Sequence, residues 1–290
     1  MLITYRLRGE RTSFSNMKRI LSIQDISCVG KCSLTVALPI ISAFGIEAGI
    51  LPTATLSTHT AFKGFTFRDL TDDIEPIAKH WAEQNIEFDA LYTGYLGSKR
   101  QIDLVLDIFK TFGEGKLKFV DPAMGDNGKL YVGFDSDFAH EMAKLCAAAD
   151  IIVPNLTEAC FMLDKPYISE GYDEAYIKDI LISLTNLGCK KAVLTGVGFT
   201  PDKLGCYGYD SESGEFFSDY NDKKEQSFHG TGDIFASVCF SSLVNGKTLL
   251  ESSAIAADFV CDSIDATLND EKPIWYGVHF EKVLASGKYL

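Results

Sequence analysis

The chain has 290 residues and a formal net charge of −13, from 27 Lys and Arg against 40 Asp and Glu. Its hydrophobic fraction of 46% can build a substantial core, which excludes a chain that stays unfolded for want of apolar surface. The acidic balance argues against general affinity for nucleic acid or an anionic membrane, because no basic excess neutralises phosphates. A ligand that carries phosphate remains compatible, since backbone N–H groups and a metal ion can hold it.

The first 16 residues differ from the rest of the chain in charge, with three arginines against one glutamate. A strand pattern begins only after Met17. We therefore expect residues 1–16 to be a disordered or misassigned extension and residues 17–290 to form one domain. A short targeting arm is the alternative for the extension.

Short apolar runs alternate with segments of helical spacing along the chain. The predicted strands are 20–24, 46–51, 88–93, 117–120, 151–153 and 192–194, and the predicted helices are 33–44, 101–112, 138–148 and 174–187. This alternation predicts an α/β fold with a parallel sheet covered by helices on both faces. Two later runs, 204–210 and 215–220, predict an antiparallel hairpin at the sheet edge.

Cysteine usage and targeting signals favour a cytoplasmic protein. Most of the eight cysteines have apolar neighbours and no Cys-x-x-Cys pair occurs, which is typical of buried, reduced thiols. Cys28 and Cys32 are four apart, so a redox or metal pair is an alternative for them. The N-terminus has no apolar stretch typical of a secretory signal. The longest apolar stretch, 35–51, is interrupted by Pro39, Ser42 and Glu47 and predicts no membrane span.

Polar or glycine residues follow five of the predicted strands. They are Asp25, Thr93-Gly94, Asp121, Asn155 and Thr195-Gly196. Ligands of open α/β sheets bind at the carboxyl ends of the strands, so the recurrence predicts a site at that edge.

The segment Gly230-Thr231-Gly232-Asp233 runs directly into an almost uncharged helical stretch. Two glycines at a helix start expose backbone N–H groups at the positive end of the helix dipole, which predicts an anion site. An Asp beside that site can take a proton from a hydroxyl while the N–H groups hold phosphoryl charge. Plain N-terminal capping is the alternative for this carboxylate. Neither a Walker A sequence nor Gly-x-Gly-x-x-Gly is present.

Three motifs together resemble the ribokinase-like superfamily: His229–Asp233 after the hairpin, Asp121–Asp126 and Pro154–Ala159. Within it, the order and spacing resemble the vitamin B6 kinases, and further matching motifs are Ile23–Asp25 with Gly30, Ser57–Thr60 and Thr93–Ser98. The similarity extends over about residues 17–280. It implies a three-layer sandwich, with a mostly parallel central sheet flanked by helices and an antiparallel edge hairpin.

The resemblance implies catalytic and nucleotide-binding roles for individual residues. Asp233 would be the general base, and Gly230, Thr231 and Gly232 would form the anion hole for the transferring phosphoryl group. The residues that would contact the nucleotide phosphates and metal are Asp121, Asn155, Glu158 and Thr195. Of these, the two carboxylates, Asp121 and Glu158, would hold Mg²⁺. From the residues alone, Asn155 and Glu158 could equally be a helix-capping pair with no ligand.

The acceptor would be a B6 vitamer (pyridoxal, pyridoxamine or pyridoxine), phosphorylated on its primary hydroxyl in pyridoxal 5′-phosphate salvage. Asp25 and Thr60 match the positions of pyridine-ring contacts, and His59 and Tyr95 would form walls. Asp25 stands where enterobacterial-type pyridoxal kinases have Ser, and it could pair with a protonated ring nitrogen or an amine. The resemblance also implies ATP and Mg²⁺ as cofactors, with a monovalent cation such as K⁺ as an option, and a homodimer.

Three alternatives remain open. Hydroxymethylpyrimidine kinases share the His-Gly-Thr-Gly start, although they usually have Cys where this chain has Asp233. A sugar or nucleoside kinase on the same scaffold commonly has a longer lid after the first strand. A binding module without turnover would have lost the base or the anion-hole glycines, and this chain retains both.

Overall fold

A computed structural model describes residues 17–290, so the predicted extension over 1–16 lies outside the described residues. The strands are β1 (Arg19–Val29), β2 (Glu47–Thr58), β3 (Phe67–Asp69), β4 (Ala90–Thr93), β5 (Leu117–Val120), β6 (Gly125–Asp126), β7 (Lys129–Leu130), β8 (Ile151–Ile152), β9 (Lys191–Val197), β10 (Lys203–Asp210) and β11 (Glu215–Asp222). The helices are α1 (Leu34–Ala43), α2 (Thr71–Glu83), α3 (Lys99–Phe112), α4 (Ser136–Ala147), α5 (Leu156–Met162), α6 (Glu174–Asn186), α7 (Thr231–Val244), α8 (Leu249–Leu268) and α9 (Phe280–Ser286).

The central sheet has the strand order β11-β10-β9-β8-β5-β4-β1-β2-β3, nine strands within residues 17–290. The pairings from β2 through β1, β4, β5 and β8 to β9 are all parallel. The edges are antiparallel: β3 pairs with β2, and the β10–β11 hairpin extends the sheet beyond β9. The mostly parallel sheet and its antiparallel edge hairpin are therefore confirmed.

Two hydrophobic clusters cover the two faces of this sheet. Helices α2 to α6 supply the first cluster, with Ile102, Met142 and Ile180 fully buried. Helices α1, α7, α8 and α9 supply the second, which includes the fully buried Val238 and Phe259. Since each face is closed by helices, the predicted three-layer arrangement is confirmed, and the short inner strands are apolar on both sides.

The first strand is longer than its apolar run predicts, which changes the place of Asp25. β1 continues to Val29, so Asp25 lies inside the strand rather than directly after it, and that expectation is wrong. The pairing of β1 with β2 shifts register between Gln24 and Ile26. Such an irregularity re-aims side chains within a strand. Likewise, Thr195 and Gly196 lie within β9, not beyond it.

A small hairpin, β6–β7, follows β5 and is tied to α5 at three points. The backbone N–H of Met124 donates to Glu158 Oε1 at 3.1 Å, and Asn155 Nδ2 donates to the carbonyl of Gly125 at 2.8 Å. At the turn, the N–H of Gly128 donates to Thr157 Oγ1 at 2.9 Å. The hairpin is therefore anchored to the start of α5.

The cysteines agree with the expectation of buried, unpaired thiols. All eight lie within the described residues and are free, and five of them are buried. Cys28 and Cys32 form no disulfide with each other. Across residues 17–290, none of the helices is long and apolar enough for a membrane crossing.

Candidate active site

A cavity of about 110 Å³ lies at the carboxyl ends of the central strands and collects most of the predicted site. Its walls come from β5, the start of α5, β9 and the start of α7. Seven predicted residues line it: Asp121, Asn155, Glu158, Thr195, Gly230, Gly232 and Asp233. Their positions span more than 110 residues of sequence, so the juxtaposition is a property of the fold and not of a single motif.

The first glycine of the Gly-Thr-Gly turn, Gly230, is required for two separate reasons. Gly230 is the residue before α7 and has φ of 81°, a left-handed conformation that disfavours other residues. A Cβ at Gly230 would also overlap the carbonyl oxygen of Lys31 in the β1–α1 loop. At Gly232, by contrast, a Cβ would meet no atom within 4 Å. The turn directs the unpaired N–H groups of a 14-residue helix to the cavity, as an anion site requires.

Asp233 lies in the first turn of α7 with its carboxylate at this cavity. Its pKa is raised to about 7: removal from solvent is the largest cause, a hydrogen bond from the backbone N–H of Ser33 opposes it, and the nearby charge of Asp25 adds to the rise. A carboxylate with a pKa near neutrality suits general base catalysis, since it is both available and basic enough to take a proton.

Asn155 and Glu158 form a complete capping box. Asn155 Oδ1 accepts from the N–H of Glu158 at 3.0 Å, and Glu158 Oε2 accepts from the N–H of Asn155 at 2.8 Å. The capping alternative is therefore present, and yet both residues also line the cavity. The two interpretations are compatible, because each carboxylate oxygen retains a lone pair beyond its one hydrogen bond to the backbone.

Asp121 and Glu158 place two acidic groups in one buried space. Burial raises the pKa of each carboxyl, and the charge of Glu158 and then that of Asp233 raise the pKa of Asp121 further. Two acidic groups that share a buried space favour the binding of a cation, because a positive charge offsets their mutual repulsion. No group of three or more His, Cys, Asp or Glu with metal-holding geometry occurs in residues 17–290. Two carboxylates in one cavity fit Mg²⁺, which takes one or two carboxylates and completes its shell with phosphate oxygens and water.

The four predicted acceptor residues lie apart from this cavity, on its β1–β2 side. Asp25 is buried in β1, where Ser27 Oγ donates to its Oδ2 at 3.1 Å, and burial raises its pKa. Burial is the main cause that raises the pKa of Tyr95 to about 12, and the charge of Asp25 contributes to this rise. Thr60 is exposed in the turn after β2.

His59 is buried and both of its ring nitrogens are engaged by the protein. Nδ1 accepts from the N–H of Ala61 at 3.2 Å, and Nε2 lies 2.9 Å from the carbonyl oxygen of Tyr276. Only the ring faces remain for a ligand, which agrees with a wall and not with a hydrogen-bonding contact. His229, which precedes the anion-site turn, has its ring centroid 5.5 Å from that of His59.

Sequence reasoning missed two groups at the site. Tyr131 lines the cavity, and the signal for it was weak, since it follows the glycine-containing turn of β6–β7 with no motif of its own. The carbonyl of Lys31 closes the back of the Gly230 turn. That contact joins residues about 200 positions apart, so no local pattern could reveal it.

The fold and this site define the class of protein: a ribokinase-like α/β domain with a Gly-Thr-Gly helix start facing strand-end carboxylates. The sequence profile of the phosphomethylpyrimidine kinase family matches residues 71–275. Because the match spans more than half of the sequence, the chain belongs to that family.

Three relatives illustrate the similarity of this chain to known proteins. A Bacteroides thetaiotaomicron protein assigned to the phosphomethylpyrimidine kinases and crystallised with pyridoxal is 39% identical, with a TM-score of 0.88 over 93% of this chain and 95% of the other. A pyridoxal kinase of Lactobacillus plantarum is 31% identical, with a TM-score of 0.84 over 93% and 96%. A pyridoxal kinase of Actinobacillus pleuropneumoniae is 27% identical over 94% and 96% of the two chains.

Proposed function

We propose that this protein transfers the γ-phosphoryl group of ATP to the primary hydroxyl of a B6 vitamer. The observation that carries the proposal is the position of Asp233, at the cavity and one residue after the Gly230–Gly232 turn. The names of two relatives as pyridoxal kinases, and the pyridoxal in the crystals of a third, support the acceptor class.

In this mechanism the chain supplies a general base and a set of backbone N–H groups that bind the phosphoryl oxygens. Asp233 takes the proton of the acceptor hydroxyl as its oxygen attacks the γ-phosphorus, while the bond from that phosphorus to the β–γ bridging oxygen breaks and ADP leaves. The N–H groups of Gly230, Thr231 and Gly232 stabilise the charge on the phosphoryl oxygens in transit. Phosphoryl transfer asks the protein mainly for positioning and charge stabilisation, and a fixed helix start provides both.

The opposite wall of the cavity would hold the nucleotide. We assign Asp121 and Glu158 to Mg²⁺, and Asn155 and Thr195 to the phosphates; the bound ion would neutralise the phosphate charge. A monovalent cation such as K⁺ is an optional addition. On the same resemblance we propose a cytoplasmic homodimer.

For the acceptor, Asp25 is the group that would recognise the pyridine ring. A buried carboxylate beside Tyr95 can pair with a protonated ring nitrogen or with the amine of pyridoxamine. Thr60 would contact the ring edge, and His59 would form part of the wall.

Hydroxymethylpyrimidine is the second candidate acceptor, favoured by the family to which the chain belongs. Both candidates present a primary hydroxyl on a planar nitrogen heterocycle, so the anion site does not distinguish them. The presence of Asp at position 233 favours the B6 branch.

The deciding experiment measures ADP formation with pyridoxal, pyridoxamine, pyridoxine, hydroxymethylpyrimidine, ribose and adenosine at saturating Mg²⁺ and ATP. We expect the highest kcat/KM with a B6 vitamer. Turnover of ribose or adenosine with no turnover of any pyridine would overturn the proposal, and hydroxymethylpyrimidine as the best acceptor would select the second candidate.

A further inference from the structure

The segment Trp275–Glu281, which comprises the end of the α8–α9 connection and the first two residues of α9, crosses the acceptor side of the site; we call it the C-terminal strap. Its first contact is with the turn after β2. The carbonyl of Tyr276 accepts the hydrogen bond from His59 Nε2 at 2.9 Å, and the ring of Trp275 lies 4.5 Å from that of Phe62, centroid to centroid. Trp275 is nonetheless 56% exposed, so its position is not explained by burial in a core.

The hydrogen bonds of His59 define its protonation and its orientation. The N–H of Ala61 points at Nδ1, which therefore carries no proton, and so Nε2 carries the proton donated to Tyr276. Burial lowers the pKa of the imidazole, which keeps this neutral form. On its other side the ring lies against Gly30, where a Cβ would come within 2.6 Å of Cδ2. His59 is thus held between the strap and the loop after β1.

The strap has a second contact, with Lys31. The Lys31 ammonium pairs with Glu281 and lies 4.9 Å from the centroid of the Phe280 ring. Gly277 passes so close to Lys31 that a Cβ there would overlap its side chain. The carbonyl of Lys31 in turn abuts Gly230. Through these contacts one segment braces the loop after β1, the turn after β2 and the anion-site turn.

We propose that the C-terminal strap, acting through His59, positions the acceptor-side loops against the Gly230–Asp233 turn and so sets the affinity for the acceptor. This inference rests on the proposed function, which defines the acceptor as the substrate whose hydroxyl receives the phosphoryl group. The four nucleotide-side residues, Asp121, Asn155, Glu158 and Thr195, lie at the end of β5, at the start of α5 and in β9, and none of the strap contacts described above reaches them. We therefore assign His59 a positioning role on the acceptor side in addition to its place in the wall, and expect its main effect on the acceptor.

The test compares His59→Leu, which removes both hydrogen bonds, with His59→Gln, whose amide N–H can still donate to Tyr276. For His59→Leu we expect the acceptor KM to rise about tenfold or more, since small misplacements of bound groups have effects of this size. The KM for ATP should stay within about twofold, because the nucleotide side is unchanged. His59→Gln should recover most of the acceptor affinity. The matched control is His140→Leu. His140 lies on α4, is partly exposed and pairs with Asp164, so both KM values should stay unchanged.

A purely structural role for His59 predicts a different pattern. Equal rises in both KM values, an unchanged acceptor KM in His59→Leu, or a His59→Gln variant no better than His59→Leu would each overturn the proposal. If His59→Leu does not fold, Trp275→Ala replaces it, because an exposed side chain is removed at low cost to the core; it should raise the acceptor KM about threefold or more with the KM for ATP unchanged.

The failure of the proposed function is distinguishable from the failure of this inference. The comparison uses whichever acceptor the wild-type enzyme phosphorylates best, so hydroxymethylpyrimidine as that acceptor would refute the B6 assignment and leave the strap testable. An acceptor KM that is insensitive to His59→Leu and Trp275→Ala would refute the strap whatever the acceptor.

Discussion

Asp233 combines a chemical task with an energetic cost. Its pKa of about 7 in the folded protein lies above the usual value for Asp, so ionisation is easier in the unfolded chain than in the folded one. We expect Asp233→Asn to lower kcat by about 10²- to 10⁴-fold, the usual contribution of a general base. Nucleotide affinity should change little, as measured by titration with a non-hydrolysable ATP analogue. Near-normal turnover in the variant would remove Asp233 as the base.

Asp233→Asn should also stabilise the ligand-free protein at pH 8. The wild-type carboxylate is charged at that pH and is partly removed from solvent on folding, whereas the amide carries no charge. We expect Tm to rise by a few degrees, since 1 kcal/mol corresponds to about 2–4 °C in a chain of this size. Differential scanning fluorimetry of Asp233→Asn beside wild type measures this. Asp137→Asn, at an exposed carboxylate of α4 paired with Lys99, serves as the control with no stabilisation. A lower Tm in Asp233→Asn than in wild type would contradict the buried-charge argument.

The pKa of Asp233 also predicts the pH dependence of catalysis. A base acts in its ionised form, so kcat/KM for the acceptor should rise about tenfold per pH unit below pH 7 and level off above it. Initial rates from pH 5.5 to 8.5 at low acceptor concentration test this expectation. The residual activity of Asp233→Asn should not show this rise between pH 5.5 and 7. A wild-type profile without such a rise would argue against a base of raised pKa.

Asp25 should govern the choice of acceptor. Since the buried carboxylate can attract a protonated nitrogen, Asp25→Ser should lower kcat/KM for pyridoxamine more than for pyridoxal, by about tenfold. The KM for ATP should be unaffected. Asp103→Ser, at an exposed acid of α3, is a matched control. Unchanged relative rates among pyridoxal, pyridoxamine and hydroxymethylpyrimidine would place Asp25 outside the acceptor pocket.

At the scale of elements, the start of α7 is the most constrained point of the fold. Gly230→Ala must accommodate a side chain at φ of 81° and against the Lys31 carbonyl, so we expect it to lose about 1–3 kcal/mol of stability together with activity. Gly232→Ala has open space for its Cβ and should retain the wild-type stability. Urea unfolding of the two variants compares them directly. Equal destabilisation would mean that the Lys31 contact is not the constraint.

How well the elements could be predicted from sequence followed the strength of their local signals. β5 was predicted to the residue, because an apolar run ends abruptly at Asp121-Pro122. β1 was cut short because Asp25 and Ser27 interrupt its apolar pattern, although both are buried in the structure. β3 was not predicted, since all three of its residues are exposed and give no burial signal.

For the site, the motif residues proposed for the nucleotide and phosphoryl side meet in one cavity, whereas those proposed for the acceptor side lie outside it. Seven predicted residues share one cavity because strand ends and helix starts converge there by the rules of parallel sheets. The acceptor side depends on the C-terminal strap and on the Lys31–Gly230 contact, which join segments about 200 residues apart. Such tertiary contacts have no periodicity or motif, so only the structure reveals them.

At the scale of the whole molecule, the net charge of −13 is compatible with a phosphate ligand because the proposed anion site uses backbone N–H groups, which add no formal charge. In the proposed function the acidic groups at the site hold a cation instead. Substrate binding is therefore expected to require the magnesium complex of the nucleotide, and ATP in excess EDTA should give no turnover.

The β6–β7 hairpin and the residues on either side of it, 124–133, fall into two parts that differ in how their backbone amides are held. The amides of Met124 and Gly128 are bonded to α5, and that of Tyr131 to the Met124 carbonyl, whereas Val132 is fully exposed and Gly133 follows it in a left-handed conformation. Hydrogen–deuterium exchange should therefore separate these neighbours by rate. The hairpin amides should exchange only when α5 opens, and those of Val132 and Gly133 near the rate of an unstructured peptide.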